Sequence, residues 1–282
     1  MGNDNMKQPT ILFKEAKIND SNIQDFVGDS AAVIYGATNK DDGTITIYRY
    51  IIEHVSDEAL RLNAHKLAAH VKSVETITQA HEMRHWYLFQ KHGSPEENAK
   101  NFFEMAALHV IEEISAYSAG FLYGDKEMKK SKYSDVEKVI LAMHAATDIF
   151  KNAANLYLEQ INLQTQSIMF KKILQNTISF DMLRKLRDTE KQNPNNLYST
   201  DFQAIIKSYL TFDGICIYDE KSIPTRMQHL WKQTQKNIQD IKQKCNLCIS
   251  TIIEHAIGIN DVMYGMQQIQ NSQKEQNNTR KK

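Results

Sequence analysis

Only 3 cysteines occur in 282 residues, too few and odd in number for a disulfide framework. No run of about 18 apolar residues exists, so the sequence predicts no transmembrane helix. The opening MGNDNMKQPT lacks a basic segment followed by an apolar core, and does not read as a signal peptide. It starts Met-Gly, but Met6 stands where myristoylation wants Ser or Thr. There is no excess charge either: 34 Lys plus Arg balance 34 Asp plus Glu. A chain with no global field recruits neither nucleic acid nor an anionic membrane by electrostatics. The expectation is a soluble, cytoplasmic protein with neither kind of partner. Four prolines and 10 glycines are few punctuators, which favours long helices over many short strands. No internal repeat is visible.

What is present is 41% apolar and 24% charged residues, ordinary for a soluble globular chain. Residues 1–10 read as a frayed terminus. Residues 31–52 read as a β-hairpin, two β-branched and tyrosine-rich runs around NKDDG. Helical periodicity then runs from Ser56 to His70 and from Val71 to Lys91. Ser94, Pro95 and Glu97 form a helix start with a capping box, and that helix should reach Leu122, stopped by Gly124. Ser134 with Glu137 starts another over 134–163, and 164–190 is helical too. The segment 191–200 is the best internal linker. A short helix (201–211), a small strand from Ile215 to Tyr218 and a long helix from Thr225 to about Met266 follow. The predicted class is α+β, predominantly α-helical. Residues 1–165 form the functional domain, 166–266 a helical C-terminal region, and 267–282 a polar, disordered tail.

One stretch carries chemistry. TITQAHEMRHWYLFQ, residues 76–90, holds His81, Glu82 and His85 as H-E-x-x-H. On a helix, positions i and i+4 share a face, so both imidazoles aim at one point, as two ligands of a tetrahedral zinc require. Glu82 is rotated about 100° onward. It can stand beside the ion without ligating it and act as general base. In a chain with 10 His, chance gives about 0.02 such matches, so context must decide. The context is an uninterrupted helix, with no Pro or Gly between Val71 and Lys91.

A catalytic site needs a third protein ligand. The next helix offers Glu112 and Glu113. Phe102, Ala106, His109, Glu113, Ala116 and Gly120 make one stripe, whose small members let two helices approach closely. A glutamate on such a stripe is costly unless paired or ligating. That favours Glu113; Glu112 stays open as the alternative third ligand, its commoner role being a solvated helix glutamate.

The HEMRH at 81–85 followed by EISA at 113–116 resembles the gluzincin branch of zinc metallopeptidases. It is similar, more narrowly, to small bacterial and phage-associated metallopeptidase families with an HE[LM]RH core. The resemblance covers roughly residues 31–123. It implies Zn2+ as cofactor, His81, His85 and Glu113 as ligands, Glu82 as catalytic base, and a peptide or protein substrate. Tyr117 stands where that group often places Asp, so the pattern supplies no carboxylate behind a ligand histidine. Arg84 is charged where the broad consensus prefers an uncharged residue. By the same resemblance the hairpin packs on the motif helix and offers its edge to an extended substrate.

Two other classes compete. Glu82–His85 is also Glu-x-x-His, the di-iron bundle unit, but no second copy occurs. A non-catalytic helical interaction protein with a degenerate site would use the C-terminal half, which carries no readable chemistry. His109 reads as a satisfied helix-face residue. Tyr117, Tyr123, His144 and Tyr157 are candidate donors to an oxyanion. Cys245 and Cys248 read as packing residues.

Overall fold

A computed structural model of the chain describes residues 7–27, 33–151, 179–193, 198–216 and 223–279. The predominantly α-helical α+β class is observed, with a small three-stranded sheet near the N-terminus. Two compact units form, each from three chain segments. The first takes Met1–Asn98, Leu108–Asn152 and Ala204–Ile238; the second takes Ala99–Ala107, Ala153–Gln203 and Gln239–Lys282. The expected boundary at 165/166 lies outside the described residues, as do Tyr157 and the stretch 152–178.

In the first unit, β1 (Thr10–Ile18), β2 (Gly36–Asn39) and β3 (Thr44–Ile52) make a sheet of order β1-β3-β2. The expected hairpin is β2–β3, antiparallel, with Gly36 opposite Ile47 and Thr38 opposite Ile45. Its turn closes by a bond from Gly43 N to Asn39 O at 3.0 Å. Gly43 has φ 76°, a value any side chain would strain. Strand β1 is an addition to the sequence reading. It pairs parallel to β3 over Thr10↔Thr44 to Ile18↔Ile52, so the strand begins where a frayed terminus was expected.

Side chains alternate across a strand, and β3 uses both faces. Ile45 and Ile47 are buried against Trp86 of α3 (Glu75–His92), beside Ile11 and Phe89. Tyr50 and Ile52 point the other way, into a cluster with Ile18, Ile23, Val55 and Ala64 of α2 (Glu58–Ser73). A short α1 (Gln24–Val27) lies between β1 and β2 in sequence. The start of α2 is capped by Asp57, which accepts from Leu60 N at 2.9 Å.

The single helix expected from Ser94 to Leu122 is two helices. Ser94 does cap: its N donates to Glu97 Oε2 at 2.8 Å and its Oγ accepts from Glu97 N at 3.3 Å. That capped helix is only α4 (Pro95–Asn98). Asn101 starts a new one, its Oδ1 accepting from Glu104 N at 3.0 Å. This is α5 (Phe102–Ala119), which ends in a π-helical turn, Gly120–Gly124. Almost every α5 residue is buried, as expected of a helix apolar on all sides. Three consecutive turns are the exception: His109, Glu113 and Tyr117 are only half-buried and share one face.

Then come α6 (Lys126–Lys130), α7 (135–151), α8 (Phe180–Gln192), α9 (Thr200–Tyr209), β4 (Thr211–Phe212), β5 (Ile215–Cys216), a 3-10 turn (Thr225–Met227) and α10 (Gln228–Thr279). The box at Ser134 closes, its N donating to Glu137 Oε2 at 2.9 Å. The disordered tail expected from Gln267 is corrected: the backbone is helical through Thr279. Gln, Lys and Glu are good helix formers even where nothing apolar is buried. In the second unit Tyr198 stacks on Phe202 at 4.8 Å and donates to Asn246 Oδ1 at 2.6 Å. Lys191 pairs with Glu254 at 2.6 Å, joining α8 to α10. Cys216, Cys245 and Cys248 are free thiols.

Arg84 is a structural anchor in the first unit. It is 8% exposed. Its Nε donates to Ser115 Oγ at 2.9 Å, and its Nη2 donates to the carbonyls of Tyr209 (2.8 Å) and Thr211 (3.0 Å). The Phe212 ring lies under the guanidinium at 4.5 Å. Arg84→Met would take the guanidinium from the Thr211 carbonyl and from Ser115 Oγ, while the Tyr209 carbonyl keeps its bond from Ser115 Oγ at 2.6 Å. We expect a loss of roughly 3 kcal/mol in denaturant unfolding; a change below about 1 kcal/mol would show that water replaces the guanidinium.

Candidate metal centre

His81 and His85 lie one turn apart on α3, Glu113 on α5. The α3 backbone comes close to the π-helical turn that ends α5 because glycines stand there. At Gly120 an added Cβ would lie 3.0 Å from Ile77 O and 3.6 Å from His81 Cβ. The close approach read from the stripe is therefore real at that position.

The three side chains converge. His81 Nε2 is 3.1 Å from His85 Nε2, His85 Nε2 is 3.4 Å from Glu113 Oε1, and His81 Nε2 is 3.7 Å from Glu113 Oε2. A tetrahedral ion with bonds of about 2.1 Å sets its ligand atoms about 3.4 Å apart. These distances, which use both Glu113 oxygens, lie around that value, and with one ligand atom from each residue all three fall within 4.8 Å, so this group could hold a metal ion. The side chains of His81 and Glu113 keep 15% and 20% exposure, so the cluster stays within reach of water.

Glu112 is the main correction. It is 4% exposed, not solvated. Its Oε1 lies 3.0 Å from His85 Nδ1 and accepts from Lys40 Nζ at 3.2 Å. A carboxylate on the far nitrogen fixes which ring nitrogen of a ligand histidine faces the metal. The partner missing at Tyr117 is supplied one residue before Glu113 instead. Tyr117 packs its ring edge-on against His81, with centroids 4.6 Å apart.

Glu82 stands beside the cluster, its Oε1 4.0 Å from His81 Nε2. Its Oε2 accepts from Thr38 Oγ1 at 2.8 Å. Burial raises its carboxyl above the usual carboxylate range, against the pull of His85 and Thr38. Burial likewise raises Glu113. Glu112 moves the other way: burial would raise it, but His85 and Lys40 together hold it low. Burial, then the neighbouring His85, holds His81 well below an ordinary imidazole. At His85 burial acts downward, yet Glu113, Glu112 and Glu82 prevail and lift it to about 9.

These shifts favour a protonated His85 beside a neutral His81 at neutral pH, with the two Nε2 atoms 3.1 Å apart. A metal must displace that proton, because only unprotonated nitrogen ligates. Metal uptake at pH 7 should release about one proton, and affinity should rise about tenfold per pH unit below 9. Calorimetry in buffers of different ionisation enthalpy reads this directly. Uptake without proton release would show that His85 is already neutral.

The weaker candidates lie elsewhere. His109 pairs with Glu96 at 2.9 Å. Tyr123 donates to Asp213 at 2.8 Å, and His144 lies 3.2 Å from Thr234 Oγ1. Among the described residues no helix is long and apolar enough to cross a membrane. No protein-family model, curated protein or solved structure matches the chain.

Proposed function

We propose that the protein is a zinc-dependent peptidase acting on a peptide or protein substrate. One observation carries the reading: a metal-fitting His81, His85 and Glu113 group with a buried, unligating carboxylate, Glu82, held at its side. The three free cysteines are consistent with a reducing, cytoplasmic setting.

Zinc held by His81, His85 and Glu113 would supply Lewis-acid polarisation of the scissile carbonyl and a lowered pKa for water at the site. The protein supplies the rest. Glu82 takes a proton from the attacking water and returns it to the leaving nitrogen. Its raised pKa suits both directions, since a base that must also act as an acid works best near the operating pH. Glu112 holds the Nδ1 hydrogen of His85, which leaves Nε2 facing the centre. Burial, with Glu113 beside it, pushes the Tyr117 phenol to about 12, so it stays a hydrogen-bond donor at neutral pH.

The test is metal content with activity. Protein purified without chelator should carry about one zinc per chain and cleave a mixed quenched-fluorescent peptide set. Removal of zinc should stop cleavage and its return restore it. A wild type that takes up no zinc sinks the reading. A zinc-loaded protein that cleaves nothing makes the site non-catalytic.

A further inference from the structure

Thr38 sits on β2, an edge strand, 44 positions before Glu82 in sequence. Its Oγ1 lies 2.8 Å from Glu82 Oε2 and 3.0 Å from the main-chain oxygen of the same residue. One hydroxyl hydrogen faces two acceptors, and the charged one forms the stronger bond. The other carboxylate oxygen, Oε1, is then the one turned toward His81, at 4.0 Å.

Two positions earlier on the same strand face is Gly36. An added Cβ there would lie 2.8 Å from Glu82 Cγ and 3.0 Å from Glu82 Oε1. The strand therefore presents two features to one side chain: an absent Cβ where its stem passes and a hydroxyl where its carboxylate ends. Glu82 is 7% exposed, so the donor it finds here is not freely replaced by water.

We infer that Thr38 is the positioning residue for Glu82, and that Gly36 and Thr38 form a seat on β2 that fixes which carboxylate oxygen faces the reacting centre. The inference rests on the reading of Glu82 as general base. It gives the hairpin a role beyond covering α3. A base must sit within hydrogen-bond reach of the proton it takes, and a misplacement of about 1 Å far from the chemistry costs on the order of 100-fold. Thr38 moves no proton itself. The proton passes from water to Glu82 and on to the leaving nitrogen, and the Thr38 hydroxyl keeps its own hydrogen throughout.

The experiment compares zinc-loaded wild type, Thr38→Val and Thr38→Ser in two readouts. The first is kcat and KM on the mixed peptide set. Valine keeps the shape and removes the donor; serine keeps the donor. We expect kcat to fall at least about 10-fold in Thr38→Val, with zinc content and KM held, and to return within about 3-fold of wild type in Thr38→Ser. Unchanged kcat in the valine variant, or no rescue by serine, overturns the inference. The second readout is the crystal structure of each protein. Glu82 should leave its wild-type rotamer in Thr38→Val and keep it in Thr38→Ser. A Glu82 unmoved in the valine variant overturns the inference whatever the activity. A wild type that cleaves no peptide, with Glu82 displaced only in Thr38→Val, refutes the peptidase reading and upholds the seat.

Discussion

Glu113→Ala is expected to abolish stoichiometric zinc binding while leaving the fold intact. The loss should be as complete as in His85→Ala and well beyond the roughly 10–100-fold that a missing outer partner costs. Glu113 spans both histidines, one oxygen 3.4 Å from His85 and the other 3.7 Å from His81. Without it two imidazoles remain, too few for a closed or catalytic site. Removing a carboxylate that burial raises relieves a desolvation cost, while His85 loses one charge partner and keeps Glu112; the two effects oppose, so the fold should hold. Glu112→Gln is the control. An amide oxygen still accepts from His85 Nδ1, so zinc should bind, more weakly by about 10-fold. Competition against a chromophoric chelator reads all three variants. Zinc lost in Glu112→Gln but retained in Glu113→Ala would reverse the ligand assignment.

Glu82→Gln should separate binding from chemistry. The amide fills the same volume and still accepts from Thr38 through its oxygen. It cannot take up a proton. Zinc content should be unchanged and peptide cleavage should drop by about 100- to 10,000-fold, the usual share of a general base. The zinc-loaded variant makes the comparison clean, because no ligand has been touched. Residual cleavage above a tenth of wild type would move the base role to another group, and the half-buried Tyr117 beside His81 would be tested next.

Much of this centre was legible in the sequence, and the reason is local. H-E-x-x-H needs only the helical period, and Glu113 needs only the stripe along α5. Glu112 was misread by the same logic. Adjacent glutamates on a helix differ by about 100°, so one inward residue seems to send the other to solvent. Its burial depends on Lys40, 72 positions away, and His85, 27 positions away, neither of which periodicity can see. Thr38 was missed because a hydroxyl in a hairpin has no signature until its partner is placed. Strand β1 was missed because its pattern is that of an exposed edge. Lys14, Glu15 and Lys17 interrupt its alternation, and its partner β3 is parallel and distant in sequence. The break before α5 hid behind a valid capping box four residues long. Asn101 was the signal, with Glu104 three residues on.

The anchoring of Arg84 reaches past stability into biosynthesis. His85 faces the candidate cluster, while its neighbour Arg84 is held by carbonyls at Tyr209 and Thr211. The helix that presents the proposed ligands therefore lacks two of the three acceptors of Arg84 until a ribosome has passed residue 211. A nascent or proteolysed fragment ending near residue 165 would contain every proposed ligand and still leave Arg84 Nη2 without its two carbonyl acceptors and without the Phe212 ring that covers it. Such a fragment should be a chaperone client and not a minimal enzyme. Metal loading would then be a late event, tied to completion of the chain.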